Sequence, residues 1–269
     1  MVIGSTGTGG VKQPGCVNLL HGKLDDLQTQ VRHMYDHEFS DSHAGKNGMS
    51  LEDKQAMSQF DNQCEVSDGH FQIPLPWKGE VKELPNNKHM ASHRLASLKR
   101  RLERDPELHG KYSDFMSSLI AKGHAEPLPR DVPDNQRVWY LRHHSVTNPK
   151  KPEKVRVVFD AAAKYQGTSL NESLMQGPDL TNNLVGVLLR FRLETIAVAA
   201  DIESMFYEVK VPKQDRDSMR FLWWPNGDLS RDPDEYRMSV HIFVGRSSPS
   251  CAGYALQRAG KEICLIQMS

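Results

Sequence analysis

Apolar positions recur along this chain with a period that changes from helical to alternating. In "SLEDKQAMSQF" the run is short, and Ser50 followed by Asp53 has the spacing of a helix-capping arrangement. "HRLASLKRRLERD" sets Leu95, Leu98 and Leu102 on one stripe and leaves Lys99, Arg100, Arg101 and Arg104 mostly outside it. Asp105-Pro106-Glu107 then reads as a new helix start: an N-cap acid, a proline at the first helical position and an acid in the first turn. Tyr112, Phe115, Met116, Leu119 and Ile120 form the apolar face of that second helix, and Gly123 is placed to stop it. These spacings predict an antiparallel helix pair with one basic face. Further upstream, Leu24, Leu27, Val31, Met34 and Tyr35 in "LDDLQTQVRHMYDHEF" also fall at helical intervals.

The period then shortens to two. "QRVWYLRHHSV" and "KVRVVFDAA" predict two strands, with the Pro- and Lys-rich "TNPKKPEK" as a mobile loop between them. Alternation sets Val155, Val157 and Phe159 on one face and Arg156, Val158 and Asp160 on the other. His143 and His144 are neighbours on a strand, point to opposite faces and make a poor metal pair. "DLTNNLVGVLLRFR" is apolar at Leu180, Leu184, Val187, Leu188 and Phe191, which predicts a buried helix. A small-residue strand follows, Ile196 to Ala200, closed by Asp201. "SMRFLWWPNGDLSRDPDEYRMSVHIFV" reads as a hairpin with a Pro-Asn-Gly turn, and "SSPSCAGYALQRAG" as a helix start. The order (helix pair, strand pair, helix, strand, hairpin, helix) predicts an α+β chain with a mainly antiparallel sheet and packed helices.

Composition changes this picture in two places. The chain has 269 residues, 38% hydrophobic and 25% charged, as a globular protein does. No window reaches the roughly 18 consecutive apolar residues of a membrane span, and "MVIGSTGTGG" has no basic start or apolar core of a secretory signal. Residues 1–70 are rich in Gly, Ser, Asp, Asn, Gln and His, and read as a flexible leader or inter-domain linker. Their "GSTGTGG" lacks the Gly-Lys-Ser/Thr of a phosphate loop. Four scattered cysteines, Cys16, Cys64, Cys251 and Cys264, fit free thiols in a reducing compartment. The formal net charge of zero is unevenly spread: Lys and Arg number 5 against 10 acids over residues 1–77, 18 against 11 over 78–164 and 11 against 13 over 165–269. A basic middle third is the footprint of a polyanion partner or, the reading that charge alone favours, a solvated helical face.

Asp201 is the residue that asks for chemistry, because a lone carboxylate buried at the end of an apolar strand costs several kcal/mol unless something pairs with it. Read alone, it is a metal ligand or a loop or capping acid. Three stretches, "VWYLRHHSVTNPKKPEKVRVVFDAAAKYQGTSLNESLMQGPDLTNNLVGVLLRFR", "AADIESMFYEVKVPKQDRDSMRFLWWPNGDLS" and "EYRMSVHIFVGRSSPSCAGYALQR", together resemble the reverse transcriptase of BEL/Pao-type LTR retrotransposon Pol polyproteins. "LKRRLERDPELHGKYSDFMSSLIAKGHAE" resembles the segment just upstream in those polyproteins, so the likeness runs from about residue 60 to about residue 258.

The resemblance implies the fingers and partial palm of a right-hand polymerase. Its domains would be a leader over 1–70, connection helices and fingers over 71–164 and a partial palm over 165–269. It implies RNA-directed DNA polymerase chemistry, a nucleotidyl transfer, with Asp201 as the first metal-binding catalytic acid for Mg²⁺. Arg156 would grip the incoming triphosphate, with a salt bridge to Asp160 as its structural alternative. Phe206 would exclude a 2′-hydroxyl, or serve only as a core ring. Ser248 and Pro249 would lie where template and primer pass. Glu203 is structural. Implied partners are an RNA template, an RNA–DNA duplex and a dNTP, with protease, RNase H and integrase domains encoded elsewhere and no membrane. The implied compartment is the cytoplasm, a virus-like particle or the nucleus.

Two departures bear on activity. Where the family usually carries Phe-Gly-Ala-Thr-Ser-Ser-Pro, this chain has Phe243-Val244-Gly245-Arg246-Ser247-Ser248-Pro249, and a valine would be strained if that position needed a positive φ. The Tyr-Val-Asp-Asp hairpin, which supplies the remaining metal ligands, would lie downstream of "QRAGKEICLIQMS". The expectation is therefore a fragment with half a metal site, inactive alone. A non-catalytic nucleic-acid-binding module or a non-functional retroelement relic are the alternatives.

Overall fold

The structure is a computed structural model that describes residues 48–79, 83–129, 137–148, 151–193 and 195–267. The chain divides into two units, Met1–Gly48 and Met49–Ser269, and the second carries the architecture that follows. The helix expected over residues 24–35 lies outside the described residues, as does Cys16.

Helix α1 (Leu51–Gln63) starts where the capping pair expects it: Ser50 Oγ accepts from the Asp53 amide at 3.0 Å and donates to the Asp53 carboxylate at 2.7 Å. Its buried Ala56 and Phe60 belong to a core cluster with Ile73, Met175, Val209, Cys251 and Tyr254. Helix α1, assigned from sequence to a leader, is therefore docked on a core, and the compact unit begins at Met49. The low apolar content of α1 hid this, because two buried side chains suffice to dock it. A short hairpin follows, β1 (Glu65–Ser67) with β2 (His70–Gln72).

Helices α2 (Lys88–Arg104) and α3 (Pro106–Ala121) form as the periodicity predicts. Leu95, Leu98 and Leu102 are buried, while Arg100, Arg101 and Arg104 are exposed. Asp105 caps α3 by accepting from the Leu108 amide at 3.0 Å. Gly123, at φ +72°, closes α3: its amide bonds the Ile120 carbonyl and the His124 amide bonds Leu119, each at 3.0 Å. That pairing uses up two carbonyls the helix end would otherwise leave open.

Three antiparallel groupings carry the β structure. Strand β3 (Ala125–Pro127) pairs with β7 (Asp234–Met238), which pairs with β6 (Arg220–Trp223), while β4 (Arg142–Asn148) pairs with β5 (Lys151–Asp160). The β6–β7 hairpin turns through Pro225–Gly227 as expected. The loop expected over "TNPKKPEK" is shorter than composition suggested, since β4 reaches Asn148 and β5 begins at Lys151. Val157 and Phe159 face inward and Arg156 outward, as alternation requires. Segment 139–141 lies beside β6, with Leu141 N to Arg220 O at 2.6 Å and Arg220 N to Trp139 O at 2.9 Å. Tyr112 stacks on Trp223 and Phe221 on Tyr236 inside the main core.

A buried ion network pins this sheet to its neighbours. Asp217 accepts from Arg220 at 3.2 Å and Arg237 at 3.0 Å, and Glu126 accepts from Arg237 at 2.7 Å and Arg216 at 3.1 Å. Each carboxylate is shared between guanidiniums, the arrangement that lets charges sit inside a fold. Helix α4 (Leu170–Ser173) is a single capped turn, α5 spans Leu184–Arg190, α6 spans Lys213–Arg216 and α7 spans Ser248–Gln267. The molecule is thus α+β, with small antiparallel sheets under packed helices.

Two expectations fail here. The apolar face of α5 is not buried: Leu184 is 69% exposed and Leu188 54%, and only Leu180, upstream of the helix, packs into the second core. Residues 196–202 form no strand, and Ile196 and Val198 are 80% and 83% exposed. A strand needs a neighbour to take its amides and carbonyls, and among the described residues none lies alongside.

Candidate functional site

Asp201 lies within the exposed run 195–204. Among the described residues, no hydrogen bond or ion pair reaches its carboxylate, so the desolvation cost anticipated for a buried acid does not arise. Just past it the chain turns at Ser204, which holds a left-handed φ of +53°, a conformation uncommon for a residue with a Cβ. That turn leads into a 3₁₀ turn, Met205–Glu208, which carries Phe206. Beyond it, residues 209–211 lie between 71–73 and 239–241, with Lys210 N to Phe71 O at 2.9 Å, Val211 N to Ser239 O at 2.8 Å and His241 N to Val209 O at 2.9 Å.

Phe206 is half-buried against the second core and meets Phe243 edge to face, ring centroids 5.5 Å apart. Phe243 opens the string 243–249 and is 73% exposed. Asn171 fastens that string: its Nδ2 donates to the Val244 carbonyl at 3.0 Å, its Oδ1 accepts from the Arg246 amide at 2.8 Å, and its own amide bonds Ala161 O at 3.0 Å. Ala161 directly follows β5, so one residue, through its backbone amide on one side and its side chain on the other, joins the end of the strand bearing Arg156 to the string ending in Ser248 and Pro249. Val244 is not at a positive φ, so the strain feared for it is absent. Ser248 is buried and donates to Ile242 O at 2.7 Å, whereas Pro249 is exposed. Gly245 is held close, because a Cβ there would meet Ser248 Oγ at 2.5 Å and Ile242 O at 3.2 Å.

Arg156 is exposed on β5, opposite Val146. The alternative pairing with Asp160 does not form. Asp160 instead accepts from Arg142, its cross-strand partner, at 2.8 and 2.6 Å. That registry could not be read from the strand's own alternation. Glu203 is exposed. His143 and His144 do point apart: His143 is buried and bonded to Tyr112 and the Leu222 carbonyl, and His144 is exposed. Phe206 and the 243–249 string are brought together; Asn171 was missed from sequence because "SLNES" reads as ordinary helix-start chemistry.

The described thiols Cys64 and Cys251 are free. Burial pushes both up in pKa, so neither is a ready nucleophile. Among the described residues no group of three or more His, Cys, Asp or Glu converges as a metal-ligand set, and no helix is long and apolar enough to cross a membrane. The described residues thus form an α+β fold in which the Phe206–Phe243 ring pair follows the exposed segment that holds Asp201 and Glu203. No protein-family model matches the chain, and no curated protein matches it at a significant level.

Proposed function

We propose that this chain is a fragment of the RNA-directed DNA polymerase of a retrotransposon, comprising fingers and part of a palm, and that it does not polymerise alone. The observation that carries the reading is the Phe206–Phe243 contact: it joins the aromatic five places after Asp201 to the string that ends in Ser248 and Pro249. Asn171 then links that string to the end of β5, four residues beyond Arg156. These contacts tie residues 206, 243–246, 171 and 161 together, and that linkage supports the reading.

Asp201 fits one ligand position of Mg²⁺: it is a hard oxygen donor without a protein partner among the described residues, and Mg²⁺ completes its shell with water and phosphate. The ion, when bound, would neutralise charge on the triphosphate. Arg156, an exposed fork on a firm strand, would hold the phosphates. Phe206 would press on the sugar and disfavour a 2′-hydroxyl. Ser248 has its hydroxyl committed to Ile242, so contact with a template–primer duplex would fall to Pro249 and the neighbouring backbone. A single carboxylate cannot hold two ions in line, hence the inactivity.

Calorimetric titration of dNTP with and without Mg²⁺ tests the reading. Binding should depend on Mg²⁺, lose that dependence in Asp201→Asn, and weaken roughly tenfold in Arg156→Gln, about the worth of one charge-assisted hydrogen bond. Metal-independent binding, or Asp201→Asn identical to wild type, overturns the site. Primer extension on an RNA template with Mg²⁺ should give no product, and clear extension would refute the inactivity.

A further inference from the structure

The exposed face of α2 carries four arginines, Arg94, Arg100, Arg101 and Arg104, against one acid of the same helix, Glu103. Arg94, Ser97, Arg101 and Arg104 follow at intervals of three and four, a stripe along the helix, with Arg100 beside it. Ser97, Arg100, Arg101 and Arg104 line an open cleft of about 310 Å³ whose rim includes Asp105. That acid is engaged as the cap of α3. Among the described residues no carboxylate pairs with Arg94, Arg100, Arg101 or Arg104, and Arg100 contacts only the Ser97 hydroxyl, at 3.2 Å. Three less exposed arginines behave differently: Arg142, Arg216 and Arg237 each hold a carboxylate within 3.1 Å. The dipole of α2 tolerates cations at its C-terminal end, but it leaves their forks unfilled.

We propose that this cleft is a phosphate-backbone site for a nucleic-acid strand. Guanidinium forks match phosphate oxygens two at a time. The stripe from Arg94 to Arg104 is about 15 Å long, enough to reach more than one phosphate of a strand. A helix backbone fixes the spacing before binding. A bilayer surface fits less well, because the apolar stripe that would have to enter it, Leu95, Leu98 and Leu102, is already buried in the core. The proposal stands apart from the nucleotide site and does not use Asp201.

Fluorescence anisotropy of the full chain with a labelled 20-nucleotide strand, titrated from low to physiological salt, tests it. Arg100→Gln/Arg101→Gln/Arg104→Gln should bind roughly 10- to 100-fold more weakly, with a log–log salt slope shallower by about 2 to 3. The corresponding triple lysine variant should keep the slope and lose only a few-fold, since lysine keeps the charge without the fork. Circular dichroism checks that each variant folds; should the triple variant not fold, single Arg101→Gln and Arg104→Gln variants should each lower the slope by about 1. The glutamine variants should leave the Mg²⁺-dependent dNTP titration as in wild type, which separates this site from the polymerase reading. The proposal fails if the glutamine variants bind like wild type, if binding is insensitive to salt, or if anionic vesicles are bound and the strand is not.

Discussion

His143 shows how a single residue can carry a pH dependence without any role in chemistry. Its Nε2 donates to the Leu222 carbonyl at 2.9 Å, so its Nδ1 accepts from the Tyr112 hydroxyl at 2.5 Å, and rings of Phe159, Phe221 and Trp223 enclose it. Burial drives its pKa down to about 4, with His144 adding a little in the same direction. His241, bonded through Nε2 to Ile73 O at 3.0 Å, is likewise held at about 4 by burial. Both are neutral in the native state, while an unfolded chain takes up their protons near pH 6.5. Their contribution is complete above that pH, is lost as pH falls from about 6.5 to 4, and amounts to up to about 3 kcal/mol each. Urea midpoints measured across that range should fall steeply. His143→Phe should be less stable at pH 7, because Tyr112 loses its acceptor, yet show a shallower pH dependence. Equal slopes for variant and wild type would remove His143 from the account.

At the scale of elements, what could be read from sequence was what neighbours along the chain decide. Ser50 with Asp53, and Asp105-Pro106-Glu107, specify helix starts within four residues, and both form as expected. The Arg142–Asp160 pair, the Asn171 clamp and the exposure of α5 each depend on which segment lies alongside, which no local period encodes. The same distinction governs substitutions at two glycines near either end of α3. Gly110 lies inside the helix with open space where a Cβ would go, so Gly110→Ala should stabilise by about 0.5–1 kcal/mol. Gly123 also faces open space, but its φ of +72° closes the helix, so Gly123→Ala should destabilise by about 1 kcal/mol. Thermal melts of the two variants should therefore shift in opposite directions; a shift of the same sign in both would contradict the backbone argument.

Over the whole molecule, burial is unevenly distributed, and this decides how the chain should behave in solution. Two cores hold α1 to α3, the sheets and α7 together, and the shared carboxylates of Asp217 and Glu126 lock β3, β6 and β7 in place. The run 184–202 stands outside both: Leu184, Val185, Leu188, Phe191, Ile196 and Val198 are all at least half exposed. Sequence reading took these residues for interior ones because their pattern is that of buried elements, and the pattern is intact; what is missing is a covering surface among the described residues. An apolar run of this length with open backbone groups promotes association between molecules. The chain should therefore bind a hydrophobic dye and sediment faster as concentration rises. Ile196→Asp/Val198→Asp should weaken both effects and change the melting free energy by no more than about 0.5 kcal/mol, since neither side chain has packing to lose. A destabilisation of several kcal/mol would mean instead that these residues are buried in solution and that the strand expected before Asp201 forms after all.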